Sequence, residues 1–381
     1  MHRVILPEFT VFYNQNGGEN QLSISTLKRK FEIAAKFAKI SQIQKMLKLP
    51  KKIATIGSHS ALQILKGAKD EGFETICVCE RKRVKPYKMF PVADKIIEID
   101  SFRDFLKIEK QLIAENAIVI PHGSFVEYLK TDKIKKLKVD HFGNKNILDW
   151  ESDRRKQEKW LTAAKIKMPL IFDSPEKIDR PVIVKFHGAR GGRGYFLANS
   201  TAEFYKRIAA HPDEKFTIQE YVVGVPIYVH YFYSRITREL EILGFDKRYE
   251  SNADSIGRVA ATDQITTNLQ TSYTIVGNIP LVVRESLLPY FIKIGERVVE
   301  QSQKLEAPGL FGPFCLEGIV TSDLILTVFE ISARIVAGTN PYIAGSPYTF
   351  LKYNEPMSTG RRIAREIKIA IENNQLDKVL G

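Results

Sequence analysis

Hydrophobic and polar positions change their period several times along the chain, and each change marks an element. Residues 4–13, VILPEFTVFY, form an apolar run that predicts a short strand, and the Asn/Gly-rich stretch after it predicts a turn. Between 23 and 48 the apolar residues Ile24, Leu27, Phe31, Ala34 and Ala38 share one face among lysines, the pattern of a basic amphipathic helix. KKIATIGSHSALQILKGAKDEGFETICVCE then reads as a strand, a small polar turn, a helix with Leu62, Leu65 and Ala68 in register, and a second strand. That is the opening of an α/β unit, and ADKIIEID, FRDFLKIEKQLIAENA and AIVIPHGSF continue it as strand, helix and strand. A charged helix, DWESDRRKQEKWLTAAK, leads from about residue 149 into a second segment containing the strand PVIVKF. Beyond about 236 the pattern predicts strands, the long helix RESLLPYFIKIGERVVEQSQKLE, the hairpin CLEGIVTSDLILTVFEIS and a closing helix, RRIAREIKIAIENN. The expected fold class is a combination of α/β and α+β.

Composition narrows the class. The 381 residues, 44% of them hydrophobic, supply enough apolar material for two or three domain cores. No apolar run approaches the ~18 residues of a membrane span, and the N-terminus lacks signal-peptide features, so a cytoplasmic protein is expected. Cys77, Cys79 and Cys315 make neither a disulfide framework nor zinc-site spacing and read as small buried hydrophobes. The net charge of +13 implies attraction to anions: nucleic acid, an acidic membrane surface or phosphorylated small molecules. Residues 1–52 hold ten Lys/Arg and three Glu, so much of the excess lies in the basic helix, read as a packing or oligomerisation helix with solvated lysines.

Several motifs carry candidate chemistry. In an open parallel sheet, ligands sit beyond the carboxyl ends of the strands, which places the GSHS turn (Ser58, His59, Ser60) and the PHGS turn (His122, Ser124) at one pocket. The competing reading is a helix capped by Ser58 or Ser60 beside a surface histidine. FHGARGGRGYF, residues 186–196, matches neither a Walker loop nor a dinucleotide fingerprint, because a second strand rather than a helix follows its glycines. It reads as a hairpin loop whose backbone folds over phosphate, with Arg190 or Arg193 adding charge and Lys185 pointing at phosphate from the strand end. QEYVVGVPIYVHYFYSR reads as a strand pair pivoting near Gly224, in which Glu220-Tyr221-Val222 either presents backbone groups to an adenine edge or packs the hairpin's own core. In CLEGIVTSDLILTVFEISAR, Glu317 and Glu330 are equidistant from a turn centred between Asp323 and Leu324, which makes them cross-strand partners. Two carboxylates so close repel unless a cation lies between them, and rigid strand carboxylates suit Mg²⁺ completed by phosphate oxygens and water. Arg334, four residues beyond Glu330, is placed to reach the same phosphates.

A lysine ending a strand, a glycine-rich flap, two metal carboxylates and E-x-x-x-R together resemble the ATP-grasp enzymes, with Ser332 where their E-x-N-x-R signature carries asparagine. Within that superfamily, IATIGSHSALQILKGAKDEGF, IPHGSF, VKFHGARGGRGYF, EYVVG, HYFYS, LGFDKRYES, GNIPLVVRESLLP, GPFCLEG and FEISARIVAGTN are similar to the archaeal PurP family, the 5-formaminoimidazole-4-carboxamide ribonucleotide synthetases. The similarity runs in order over about residues 50–381.

It implies an ATP-grasp fold with an N-terminal Rossmann-like domain, divided as residues 1–48 (extension), 49–148 (Rossmann-like), 149–235 (lid) and 236–381 (C-terminal subdomain). It implies ATP- and formate-dependent formylation of the amine of AICAR to FAICAR in purine synthesis. Carried over residue by residue, it places AICAR contacts at His59, Ser124 and Asn278. ATP contacts fall at Lys185, Gly188, Arg190, Gly191, Gly192, Gly194, Glu220, Tyr221, Val222 and Glu250, and Mg²⁺ or Mn²⁺ ligands at Glu317 and Glu330, with Lys185 and Arg334 acting in catalysis. A homo-oligomer, trimer or hexamer, is implied, with neither membrane nor nucleic acid as partner. The alternatives are an ATP-grasp paralogue joining another carboxylate to an amine, which would differ in the GSHS, PHGS and Asn278 pocket, and a nucleic-acid-binding protein using the basic helix.

Overall fold

A computed structural model describes residues 4–6, 9–11, 50–186, 194–269 and 271–381, and the chain divides into two compact units, Met1–Pro50 and Lys51–Gly381. In the first, β1 (Val4–Leu6) pairs antiparallel with β2 (Phe9–Val11). The sequence predicted one strand there. Pro7 lacks the backbone N–H that an unbroken ladder needs, and the run folds back on itself instead. The basic helix predicted over 23–48 lies outside the described residues.

The second unit opens with β3 (Lys52–Ile56), β4 (Glu74–Glu80), β5 (Lys95–Ile99), β6 (Ala117–Val119) and β7 (Asp140–His141), a parallel sheet in the order β5-β4-β3-β6-β7. Strand order reverses at β3, so the crevice beyond β3 and β6 is where the GSHS and PHGS turns emerge. The helix Ala61–Asp70 leaves the first turn with Ala61, Ile64, Leu65 and Ala68 buried. Its other side meets the closing helix, Thr359–Glu372, backbone against backbone: a Cβ at Gly67 would lie 2.1 Å from Arg361 N. That closing helix is tied to the third sheet, described below, by a buried ion cluster in which Arg362 contacts Glu241 and Glu366, both at 2.9 Å.

Next come β8 (Ile171–Phe172), β9 (Val182–Phe186), β10 (Tyr195–Ala198) and β11 (Phe216–Glu220), an antiparallel sheet in the order β10-β9-β11-β8. β9 and β10 form the hairpin expected around the glycine-rich loop, with Lys185 opposite Tyr195. The charged helix before this sheet is two helices, Ile147–Ser152 and Arg154–Ala163. The break comes at Asp153, whose carboxylate accepts from Arg155 N and Lys156 N at 2.9 and 3.0 Å.

The third sheet holds β12 (Val225–Tyr233), β13 (Leu240–Ser251), β14 (Tyr273–Leu281), β15 (Gly312–Val320) and β16 (Leu326–Ser332), antiparallel in the order β14-β13-β12-β15-β16. The expected strand pair around Gly224 is therefore corrected: β11 and β12 belong to different sheets, and Gly224 is the joint between them. Helix Leu288–Leu305 covers one face with Phe291, Ile294 and Val298, and Trp160 locks in by donating from Nε1 to Val298 O at 2.9 Å. The opposite face is apolar at one end, where Phe232 and Leu243 pack with Ile53 and Ile118, and carries Tyr228, His230, Asp246, Arg248 and Glu317 at the other.

Candidate active site

The turns that follow β3 and β6 lie against the third sheet, His59 sharing a cavity with its residues and His122 bridging to Ile335 just beyond β16. Ser58 and Ser124 hydrogen-bond to each other at 3.0 Å, joining the two turns. His59 adopts a left-handed backbone (φ 55°) and stacks on His122, ring centroids 5.2 Å apart and planes parallel to within 1°. Gly123 permits this approach, since a Cβ there would meet His59 Nε2 at 2.8 Å and Arg334 Cζ at 3.3 Å. His122 is fully buried, and its Nε2 lies 3.0 Å from Ile56 O; a carbonyl only accepts, so this nitrogen carries the proton. Burial, aided by the nearby Arg334 charge, pushes His122 down to about 4. His59 sits at the rim, yet the enclosing walls, then His122 and Arg334, also push it well below the ordinary histidine value. Two neutral rings result. Ser60, proposed as a helix cap, is occupied with His59 Nδ1 at 2.8 Å and caps nothing.

The facing sheet contributes one side chain after another from paired strands. Tyr228 lies opposite both Asp246 and Glu317, Arg248 opposite Asn278, and Glu317 opposite Glu330. Glu317 is paired with Arg248, whose guanidinium lies 4.8 Å from the centre of the Tyr228 ring. Burial and then Glu330 raise Glu317 to about 7, against the opposing pull of Arg248. Fully buried Asp246 accepts from His230 Nε2 and from Asn278 Nδ2, each at 2.7 Å. His59, His230, Asn278, Glu317, Glu330 and Arg334 are among the residues around a cavity of about 210 Å³.

The carboxylate register was predicted correctly by a different route from the one the chain takes. Val320 pairs with Leu326, which centres the turn on Asp323, and a bulge between Glu317 and Gly318 moves the register by one so that Glu317 meets Glu330.

A second cavity, of about 470 Å³, opens between the second and third sheets and is lined by Lys185, Gln219, Arg154, Glu151, Phe329 and Glu330 among others. Lys185 Nζ donates to Gln219 Oε1 at 2.7 Å, and burial, with Arg154 nearby, lowers its pKa. Arg334 Nη2 meets buried Glu151 at 2.9 Å, and Glu151 also accepts from Ala333 N. Glu151 lines the larger cavity and Arg334 the smaller, while Glu330 lines both. The ion pair and Glu330 thus stand where the two spaces meet.

Other expected contacts fall elsewhere. Gly188, Arg190, Gly191 and Gly192 lie outside the described residues, and Gly194 closes the hairpin with φ 80° and its carbonyl accepting from Phe186 N. Glu220 accepts from Leu170 N at 3.1 Å, Tyr221 N donates to Pro181 O at 2.8 Å, and Val222 follows half-buried. These three, like Ser124 and half-buried Glu250 on β13, are outside the two linings. Ser332 is buried, and its hydroxyl makes no hydrogen bond. Among the described residues no group of three or more His, Cys, Asp or Glu forms a metal cage, so the Glu317–Glu330 pair suits only a hard cation that takes its remaining oxygens from a ligand.

Glu151, Tyr228, His230, Asp246, Arg248 and Gln219 were not singled out in the sequence. A signal existed for some of them: Asp246, Arg248 and Glu250 alternate along one face of a strand, as do Tyr228 and His230 on the next.

The parallel sheet followed by two antiparallel sheets enclosing a polar cleft is the architecture of ATP-grasp enzymes. N5-carboxyaminoimidazole ribonucleotide synthetase from Thermotoga maritima superposes with a TM-score of 0.55 over 84% of this chain and 76% of its own, at 19% identity, which is likeness of fold alone. The crystal structure of an IMP biosynthesis protein PurP from Thermococcus kodakaraensis superposes with a TM-score of 0.69 at 33% identity, covering 86% of this chain and all of that one. Two family models match, a protein of unknown function (DUF1246) over residues 53–172 and a domain of unknown function (DUF1297) over residues 201–381. The 5-formaminoimidazole-4-carboxamide-1-(beta)-D-ribofuranosyl 5'-monophosphate synthetase of Pyrococcus abyssi is 56% identical over 350 residues, spanning 88% of this chain and 100% of that protein. The chain belongs to the family of these synthetases.

Proposed function

We infer that the chain formylates AICAR to FAICAR at the expense of ATP, with formate as the one-carbon donor. The observation that carries this reading is the position of Glu330, which lines both a large cavity containing Lys185 and a smaller one containing His59 and Asn278. Phosphoryl transfer and amine capture need such a junction, because the activated acyl group made in one space must be reached from the other. ATP is assigned to the larger cavity and AICAR to the smaller. Lid closure is assigned to the glycine-rich hairpin, in a division of residues 49–148, 149–235 and 236–381 into Rossmann-like domain, lid and C-terminal subdomain, with β12 of the lid segment hydrogen-bonded into the C-terminal sheet.

Formate has no leaving group. Its oxygen therefore takes the γ-phosphoryl of ATP, the bond to ADP breaks, and formyl phosphate forms. The AICAR amine then forms the C–N bond, loses a proton and expels phosphate. Lys185 and Arg334 are assigned to the charge of the transferring phosphoryl group, and neutral His59 and Asn278 to holding the acceptor. Keeping a weak amine beside the acyl phosphate contributes on the order of several kcal/mol. Mg²⁺, which Glu317 and Glu330 would hold, supplies charge neutralisation on the phosphates when bound. A homo-oligomer is supported by β14, an edge strand that exposes Val276 and neighbouring Val282.

The test is ADP release with ATP, Mg²⁺ and AICAR, with and without formate, alongside the absorbance change of AICAR formylation, for wild type and Glu330→Gln. Formate-dependent turnover that Glu330→Gln abolishes is the expected result. ATP hydrolysis indifferent to AICAR would instead mean a ligase for a different acid and amine.

A further inference from the structure

A buried carboxylate has to be satisfied on both oxygens, and Asp246 meets that requirement with His230 on Oδ1 and Asn278 on Oδ2. An ionised carboxylate offers only lone pairs. The atom that Asn278 turns towards it must therefore be the NH₂, which leaves the carboxamide oxygen directed away from Asp246, on a side chain that lines the smaller cavity together with Asp246. Gly338 closes over the pair, and a Cβ there would lie 2.3 Å from Asp246 Oδ1 and 2.8 Å from His230 Cε1. Asp246 is thus held by the Gly338 backbone as well as by its two partners. The AICAR base carries two NH₂ groups, the ring amine and that of the 4-carboxamide. The amine must reach the junction at Glu330, so of the donors on the base the carboxamide NH₂ is the one left for the cavity wall to read, the ribose hydroxyls lying on the sugar.

We propose that Asp246 is a positioning residue which locks the Asn278 carboxamide with Oδ1 facing the cavity, where it accepts a hydrogen bond from the 4-carboxamide N–H of the acceptor. This rests on reading the smaller cavity as the AICAR site. The arrangement selects a carboxamide over a carboxylate, because a carboxylate would set lone pairs against lone pairs. Replacing Asp246 by asparagine reverses the geometry: the introduced carboxamide would offer its NH₂, Asn278 would turn its oxygen inwards, and the cavity would face a donor.

The experiment measures kcat and KM for AICAR and for ATP, and inhibition by the 4-carboxylate analogue of AICAR, on the full chain. The variants are Asp246→Asn, Asn278→Asp, the double exchange Asp246→Asn/Asn278→Asp, and Asn278→Leu. Each exchange alone is expected to raise KM for AICAR at least about tenfold while KM for ATP stays within about twofold. Asp246→Asn should also strengthen inhibition by the carboxylate, and the double exchange, which restores a donor–acceptor pair with an oxygen facing the cavity, should return KM for AICAR to within about threefold of wild type. Absence of rescue, or an equal rise in KM for ATP, overturns the inference. If the Asp246 exchanges do not fold, Asn278→Leu decides alone: preference for carboxamide over carboxylate should fall at least about tenfold, and an unchanged preference overturns the inference. Wild type without AICAR-dependent turnover overturns the reading of the cavity, and this inference with it.

Discussion

Glu317 and Glu330 face each other across β15 and β16, yet Glu317 is only 5% exposed while Glu330 is open to solvent between the two cavities. Burial, and after it the neighbouring Glu330, raise the Glu317 carboxyl to about 7.

That asymmetry sets a pH dependence. In the folded protein Glu317 keeps its proton up to about pH 7, whereas in the unfolded chain it loses it near the ordinary glutamate value of ~4.3. The folded state binds the extra proton, so stability of the metal-free protein should fall as pH rises from about 4.5 to 7 and level off above that. Thermal unfolding without metal checks this, and Glu317→Gln should remove the Glu317 share, on the order of 3–4 kcal/mol. Because a metal ligand must be deprotonated, half-saturation by Mg²⁺ in the turnover assay should need about tenfold less metal at pH 8 than at pH 6.

Lys185 is held by Gln219 inside the larger cavity. A charged hydrogen bond to phosphate contributes ~1.5–3 kcal/mol, so Lys185→Gln should raise KM for ATP by about tenfold to a hundredfold. KM for AICAR, measured in the same assay, should move little.

Gly67 offers a test of the frame behind the site. Alanine in an exposed helix is usually better than glycine by about 1 kcal/mol, but here its Cβ would fall 2.1 Å from Arg361 N. The clash should win, and Gly67→Ala should lose about 1–3 kcal/mol in urea unfolding. A stabilised variant would show that the two helices have room to part.

What could be read in the chain follows from the range of the interactions involved. GSHS and PHGS were legible because a strand–turn–helix pattern is local and a parallel sheet directs its turns to one edge. Glu317 and Glu330 were legible because a hairpin's register can be counted, although the count succeeded through a bulge it did not foresee. Asp246 was missed, since its worth comes from His230 and Asn278, which lie 16 and 32 residues away on neighbouring strands. Glu151 was missed for the same reason, its partner Arg334 being supplied by the bend just beyond β16.

The sequence by itself determined the order of elements, the polar turns, the glycine-rich hairpin and the identity of the two carboxylates, all of which depend on periodicity and on contacts between near neighbours. Only the tertiary structure decided that β11 and β12 part at Gly224 into separate sheets, and that Glu330 stands between two cavities. It also decided that a fully buried aspartate orients Asn278. Those facts arise from pairing between strands far apart in the chain, where the burial of one residue is set by backbone that its own neighbours do not encode.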